Sequence, residues 1–331
     1  YFNNYFADQL KTDKVYILEF QGDNSMAAQE RSSSFVDNKD PNIVIAQSFT
    51  TNWQRDVGRQ QMETFLSSSK TEDIEKIQAI YTHDDEPMLG ILDAIRAYNG
   101  EAKLNIKVLT GVGAQKATLD EMQGAKDNDG IDVLSYTYAP GMVRLAVDLA
   151  VDTMAGKGKT GLQLVPVEEI RLDNQAEYRK SAEYMHRYEE GTMPEAAPEA
   201  APAAASVEGM MLAVFMPSAD HGFTAESIAQ AKSELETLSK EKGFEYKQIT
   251  SAEASDQANQ IATVLEGQVD TVLLWPIDGA PLRSAAETIK EKNIPLVVYD
   301  RLIPDFVPNA EMTGDQITIG TQAAKYFNNY F

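Results

Sequence analysis

The residues able to do chemistry in this chain gather just after its short apolar runs. In the second half these are Asp220-His221-Gly222-Phe223, Trp275 with Asp278, and Asp300-Arg301. In the first half they are Asp23-Asn24 with Arg31 nearby, Asn52-Trp53, His83-Asp84-Asp85 and Thr110-Gly111. Carboxylates and arginines beside aromatic faces suit one ligand class well. A sugar or polyol has C–H faces that stack on Trp and Phe, and hydroxyls that donate to Asp and accept from Arg in a desolvated cleft. Asp, Glu and His in a cleft also serve as general acids and bases. Here, however, no nucleophile–base pair, phosphate loop or metal set accompanies them, and Gly111-Val112-Gly113 is too short for a dinucleotide fingerprint. His83, His186 and His221 are the only histidines and there is no cysteine, so paired-histidine and thiolate metal sites are both excluded. The reading is therefore of a binding protein without cofactor, metal or catalysis.

The elements that must position these residues alternate between two periodicities. Val15–Phe20, Asn42–Ala46, Ile77–Tyr81, Asn105–Leu109 and Ile131–Tyr138 read as strands, with a helix carrying Ala27, Ala28 and Arg31 and further helices over Trp53–Leu66, Met88–Tyr98 and Gly141–Ala155. Pro140 opens the last of these at a position that tolerates proline. A strand over Leu162–Ile170 and a helix over Asn174–Glu190 follow. The alternation resumes with strands at Met211–Phe215, Phe244–Ile249, Val269–Trp275, Pro295–Tyr299 and Ala310–Thr313, and helices at Thr224–Lys242, Asp256–Glu266 and Pro281–Glu291. Repeated strand–helix units predict an α/β fold of two doubly wound parallel sheets. Ligands bind outside the carboxyl ends of the strands in such sheets, which is where the residues above stand.

Between the two halves, residues 191–206 carry no large side chain after Met193, and three spaced prolines make this stretch a semi-rigid linker. The 29 Lys and Arg against 51 Asp and Glu give a net charge of -22, which opposes phosphate backbones and anionic membrane surfaces. No run approaches the roughly 20 apolar residues of a membrane helix. Tyr-Phe-Asn-Asn-Tyr-Phe occurs at residues 1–6 and again at 326–331. Overlaying the copies makes Ile319–Phe331 continue into Ala7–Leu10 as one amphipathic helix, so the two ends read as halves of a severed helix.

The motif order resembles the ribose- and galactose-type periplasmic sugar-binding proteins over nearly the whole chain apart from the linker. It is carried by Asp300-Arg301 after Val297-Val298-Tyr299, by Gln29-Glu30-Arg31 opening a helix after Phe20-Gln21-Gly22, by Asn52-Trp53-Gln54-Arg55, and by the run from Tyr81 to Gly90. In that family the segment like Met211–Thr224 comes first, so the resemblance implies a circular permutant, with Gly191-Thr192-Met193 as a joining scar of an engineered fusion. It further implies two lobes joined by three crossings, a monosaccharide or polyol clamped by hinge closure, delivery to an ATP-driven importer, and a periplasmic or outer-surface location.

Carried over residue by residue, the resemblance puts Asp220, His221, Phe223, Trp275, Asp300, Arg301 and Asp315 on one wall. Asn24, Arg31, Trp53 and Asp84 stand on the other, with Thr137 or Tyr138 at a hinge. Asp84 is preferred to Asp85 and Glu86 because one of those two is expected to cap the following helix. Asp300 pairing with Arg301, and both tryptophans as plain core residues, are the competing structural readings. Sugar binders commonly carry an aspartate where this chain has Gly111-Val112-Gly113. The expected layout is half of the severed helix at 1–11, one lobe at 12–133 plus 160–190, a returning helix at 134–159, the linker at 191–206, and the other lobe at 207–331. Crossings are expected near Leu10–Lys14, Ser135–Ala139 and Gly161–Val165. A monomer is expected, with a domain-swapped dimer as the variant. The competing functions are a regulatory core without its DNA-binding module and a carbohydrate-active enzyme.

Overall fold

The computed structural model describes residues 13–181, 184, 205–219 and 222–331. In chain order the first elements are β1 (Val15–Gln21), α1 (Met26–Asn38), β2 (Ile43–Thr50), α2 (Arg55–Ser68), α3 (Thr71–Glu75), β3 (Ile77–Thr82), α4 (Asp85–Ala97) and β4 (Val108–Val112). Then come α5 (Lys116–Gly124) with a π-helical turn over Ala125–Asp129, β5 (Asp132–Tyr136), α6 (Met142–Met154), β6 (Gly161–Val165), β7 (Glu169–Ile170) and α7 (Gln175–Tyr178). The remainder is β8 (Met211–Pro217), α8 (Gly222–Lys242), β9 (Glu245–Ser251), α9 (Ala254–Val264), β10 (Thr271–Leu274), α10 (Gly279–Glu291), β11 (Leu296–Tyr299), β12 (Ala310–Gly314) and α11 (Gln316–Tyr330).

These elements form two compact units, the first ending at Tyr138 and regaining the chain at 167–184 and 315–331, the second holding 139–166 and the rest up to Gly314. The sheet of the first unit has the order β2-β1-β3-β4-β5-β7, and that of the second β6-β12-β11-β10-β8-β9. Every pairing is parallel except β5 with β7. Strands covered by helices on both faces must be apolar throughout. Val108, Leu109 and Val112 in the first unit and Leu212, Ala213, Val214 and Phe215 in the second are buried accordingly.

Glu19 breaks that rule on β1. Both ladders of β1 slip register next to Ile17, an irregularity that re-aims the side chains after it.

Two parts of the expected layout change. The single strand expected over Leu162–Ile170 is two strands in different sheets: β6 pairs with β12 and β7 with β5. Pro166 lies between them and has no N–H to give a ladder, and the chain changes unit at 166/167, beside the crossing expected near Gly161–Val165.

The helix expected with the 207–331 lobe belongs instead to the first unit, and the change of unit falls at 314/315. Its seat is α1. A Cβ on Gly320 would collide with Ser34 and the Arg31 carbonyl, so only glycine lets the helices approach this closely. Below that point Phe327 packs edge-on to Phe35 at 5.5 Å. Asn328 accepts from the Asp40 amide at 2.7 Å and donates to the Asn38 carbonyl at 2.9 Å. The Tyr330 hydroxyl donates to Asp132 at 2.9 Å, and Phe331 is buried. The 326–331 copy of the repeat is thus anchored through four side chains.

Of the helix expected over Asn174–Glu190, the described part includes Gln175–Tyr178, and residues 182, 183 and 185–190 lie outside the described residues. Residues 1–6, most of the linker and His186 lie outside the described residues.

Candidate functional site

Each unit presents its own set of strand-end side chains. In the first, Arg31 is the centre. It projects from α1 and is 3% exposed. Its Nε donates to Gln316 Oε1 at 2.7 Å, and its Nη1 donates to the His83 carbonyl. The guanidinium faces the Trp53 ring at 5.3 Å and the Tyr138 ring at 4.8 Å. A planar cation between two aromatic faces is held by cation–π attraction, strengthened by desolvation. Gln316 Nε2 also donates to the Tyr138 hydroxyl at 2.7 Å, so one amide fixes both Arg31 and Tyr138.

Trp53 follows Asn52 in a turn where both residues have positive φ, 64° and 51°, a conformation non-glycine residues adopt at a cost. The indole lies over Gly22, where any Cβ would clash with the ring. Its Nε1–H is buried and has no hydrogen-bond partner among the described residues. Thr137 is tied to Glu168 through two bonds of 2.9 Å, one from its amide and one to its hydroxyl. Asn24 is exposed, and its carbonyl accepts from Gln29 at 2.8 Å.

The acids divide by role. Asp84 itself caps α4, accepting from the Glu86 amide at 2.8 Å, which reverses the expectation that Asp85 or Glu86 would do so. Asp85 is fully buried instead, accepting from Ser135 Oγ at 2.6 Å and the Gln115 amide at 2.7 Å. Asp315 lies in the first unit, not on the wall expected from sequence. It caps α11, with one oxygen on the Thr318 amide at 2.9 Å and the other on the Thr318 hydroxyl at 2.7 Å. An aspartate immediately after a strand is also immediately before a helix, and the helix claims it.

In the second unit the centre is aromatic. Trp275 is fully buried and meets Tyr299 edge-on at 5.3 Å and Phe223 at 5.8 Å. Its indole N–H donates to Asp300 Oδ2 at 2.9 Å. Asp300 has a φ of 64°, and this kinked backbone is held by its amide on Met312 and its carbonyl on Thr313. Arg301 donates to the Ile277 carbonyl. Gln257, absent from the sequence reading, is buried and braces the Trp275–Ile277 backbone at 2.9 and 3.0 Å. Asp220 and His221 lie outside the described residues.

Gln316 and Glu19 were also missed. Glu19 had a signal, a lone charge within an apolar strand; Gln316 had none beyond following Asp315. Among the described residues there is no cluster of three or more metal-ligating side chains, and no helix is long and apolar enough to cross a membrane.

Comparison with known proteins places this geometry in a family. The model for the periplasmic binding protein domain matches residues 3–158 and 212–331, and the chain belongs to that family. No curated protein sequence matches it.

Among solved structures, a XylFII–LytSN complex aligns over 96% of this chain and 93% of its own at 10% identity, with a TM-score of 0.54. A galactofuranose-binding protein aligns over 53% of this chain and 58% of its own at 21% identity, TM-score 0.43. A Bacillus halodurans C-125 ABC-transporter solute-binding protein with bound myo-inositol aligns over 51% and 56% at 22% identity, TM-score 0.41. The chain spans little more than half the length of these last two.

Proposed function

We propose that the protein binds a monosaccharide or related polyol, without catalysis, through the strand-end residues of both units, and that it serves as the solute receptor of an ATP-driven importer outside the cytoplasm. Arg31 carries the reading. A desolvated guanidinium held between two aromatic rings, beside an indole N–H with no acceptor, is a set of donors prepared for hydroxyl oxygens. Asp300, fixed by Trp275, supplies an acceptor of the complementary kind. Thr137 and Tyr138 are proposed as a hinge, supported by the change of unit at 138/139.

The same proposal includes circular permutation by design. In the second sheet β6, which the chain makes first, lies at the edge beyond β12, which it makes last. Begun at β8, both sheets would share one order, 2-1-3-4-5, with the sixth strand added late. The family match in two segments supports the same reading.

The test is a titration with D-ribose, D-galactose, D-fructose, L-rhamnose and myo-inositol, followed by tryptophan fluorescence and calorimetry. A saturable response to at least one, lost in Arg31→Ala, is expected. Silence across pentoses, hexoses and polyols would overturn the binding reading, and product formation would replace it with an enzyme. A chain rearranged to start at residue 205 and rejoin 331 to 7 should fold and bind alike; failure to fold counts against permutation.

A further inference from the structure

Beneath Arg31 and Trp53 lies a buried polar group that the proposed binding reaction does not itself use. Glu19 is 2% exposed and His83 fully buried. Glu19 accepts from Ser48 at 2.7 Å, from Gln21 at 3.0 Å and from Ser32. His83 Nε2 stands 3.6 Å from Glu19 Oε1, too far for a hydrogen bond but close enough for a strong charge–dipole contact.

The other ring nitrogen, Nδ1, accepts from the Gly22 amide at 3.4 Å. The neutral ring therefore carries its proton on Nε2, towards the carboxylate. The backbone of the same residue extends the connection: the His83 amide donates to the Phe20 carbonyl at 2.9 Å, and the His83 carbonyl accepts from Arg31. Gly22 continues it to the indole. Its carbonyl accepts from the Asn52 amide at 2.8 Å, and its Cα is the floor under the Trp53 ring.

We infer that Glu19 and His83 are positioning residues, holding Gly22, the Asn52-Trp53 turn and Arg31 in place, so that this wall is assembled while the His83 ring is neutral. The inference rests on the sugar-binding reading for its consequence, though not for its geometry. Protonation would put a second N–H on Nδ1, facing the Gly22 N–H donor to donor, and the ring would turn away from that amide.

The groups facing His83 are Glu19 on β1, Asp23 after it, Arg31 on α1 and Tyr81 on its own strand, whose ring is 5.1 Å away. Burial is the largest influence and holds the imidazole below its ordinary 6.5, with Arg31 acting the same way and the two carboxylates opposing. Burial alone would raise Glu19, but His83 and the two serine hydroxyls outweigh it and keep that carboxyl below its ordinary 4.5. The ionised Glu19 with neutral His83 is thus the resting pair near neutrality.

The experiment needs no ligand. In a Trp275→Phe background Trp53 is the sole tryptophan, and its iodide quenching and emission maximum are followed from pH 7.5 to 4.5. The parent should show one transition to a more quenched state. His83→Asn keeps an acceptor near the Gly22 amide but does not titrate, and should be flat. Glu19→Gln removes the negative charge favouring the protonated ring and should move the midpoint to lower pH, which keeps the test alive if His83→Asn does not fold.

With D-galactose, D-ribose, D-fructose and myo-inositol as probes, affinity for any that binds should fall about 10-fold on acidification in the parent, the scale of one lost hydrogen bond, and less than about 2-fold in His83→Asn. A parent without a transition, identical profiles in parent and His83→Asn, or an unmoved midpoint in Glu19→Gln would overturn the inference. Sugar silence with the Trp53 transition intact would remove only the binding reading.

Discussion

Each unit carries a six-stranded sheet, and the two differ in what they bury at the strand ends. In the first, the buried set is polar and hydrogen-bonded: Arg31, Glu19, His83 and Asp85. In the second it is a stack of rings, Trp275 and Tyr299 with Phe223 against them, around one carboxylate. The difference teaches where precision is costly. Rings fix one another by shape, and one indole hydrogen bond aims Asp300. Buried charges must each be satisfied, so the first unit recruits Ser32, Ser48, Ser135, Gln21 and Gln316 as partners.

The largest test of this contrast is on the floor of the first unit. Phe327→Ala removes a fully buried ring from α11 and should cost about 3–5 kcal/mol in urea unfolding. Residues 1–6 repeat the same anchors, so if Tyr1–Phe6 can take the seat the loss drops below about 1 kcal/mol and returns in a Phe2→Ala/Phe327→Ala double variant. Next, Asp85→Ala strands the Gln115 amide and the Ser135 hydroxyl and should cost about 3 kcal/mol by the same measurement. In the second unit Trp275→Phe shortens a buried ring and loses the bond to Asp300, a cost of about 2 kcal/mol. If Asp85→Ala proves cheaper than Trp275→Phe, the contrast between the units fails.

The smallest effect is the sharpest, because the units should respond to acid with opposite sign. His83 and Glu19 are held below their ordinary values of 6.5 and 4.5. Their contribution is complete above pH 6.5 and is lost as pH falls through their lowered folded values. In the second unit, burial and then the nearby Glu234 push Asp148 from 3.8 up to about 6. Its contribution is complete below pH 3.8 and is lost as pH rises through about 6. Asp148→Asn should therefore raise stability at pH 7 and leave it unchanged at pH 3.5, while His83→Asn should flatten the acid limb. Urea midpoints across pH read both.

Element order and type were legible because period-2 and continuous apolar runs alternate with amphipathic helices throughout, as at Val15–Phe20 and Pro281–Glu291. The division of the Leu162–Ile170 run was not, because such a run looks like one strand until its two ends find different partners. That Trp53 and Asp300 stand just past strands was legible from the apolar runs before them. The acids were harder to assign. Asp84 and Asp315 satisfy the rule for a ligand contact and the rule for a helix cap equally well, and which of Asp84 and Asp85 is buried depends on the space left by Gly111.

That space has a consequence for how this sequence can drift. A Cβ at Gly111 would run into the Asp85 carboxylate, and Gly113, with φ of 136°, hugs its other oxygen. Positions 85 and 111 therefore exclude one another sterically: a carboxylate at 111 would first require the one at 85 to go, leaving Ser135 and the Gln115 amide bare. Either single step passes through a damaged protein. The two glycines hold the sequence to one side of that divide, and the side chains open to these positions are narrowed accordingly.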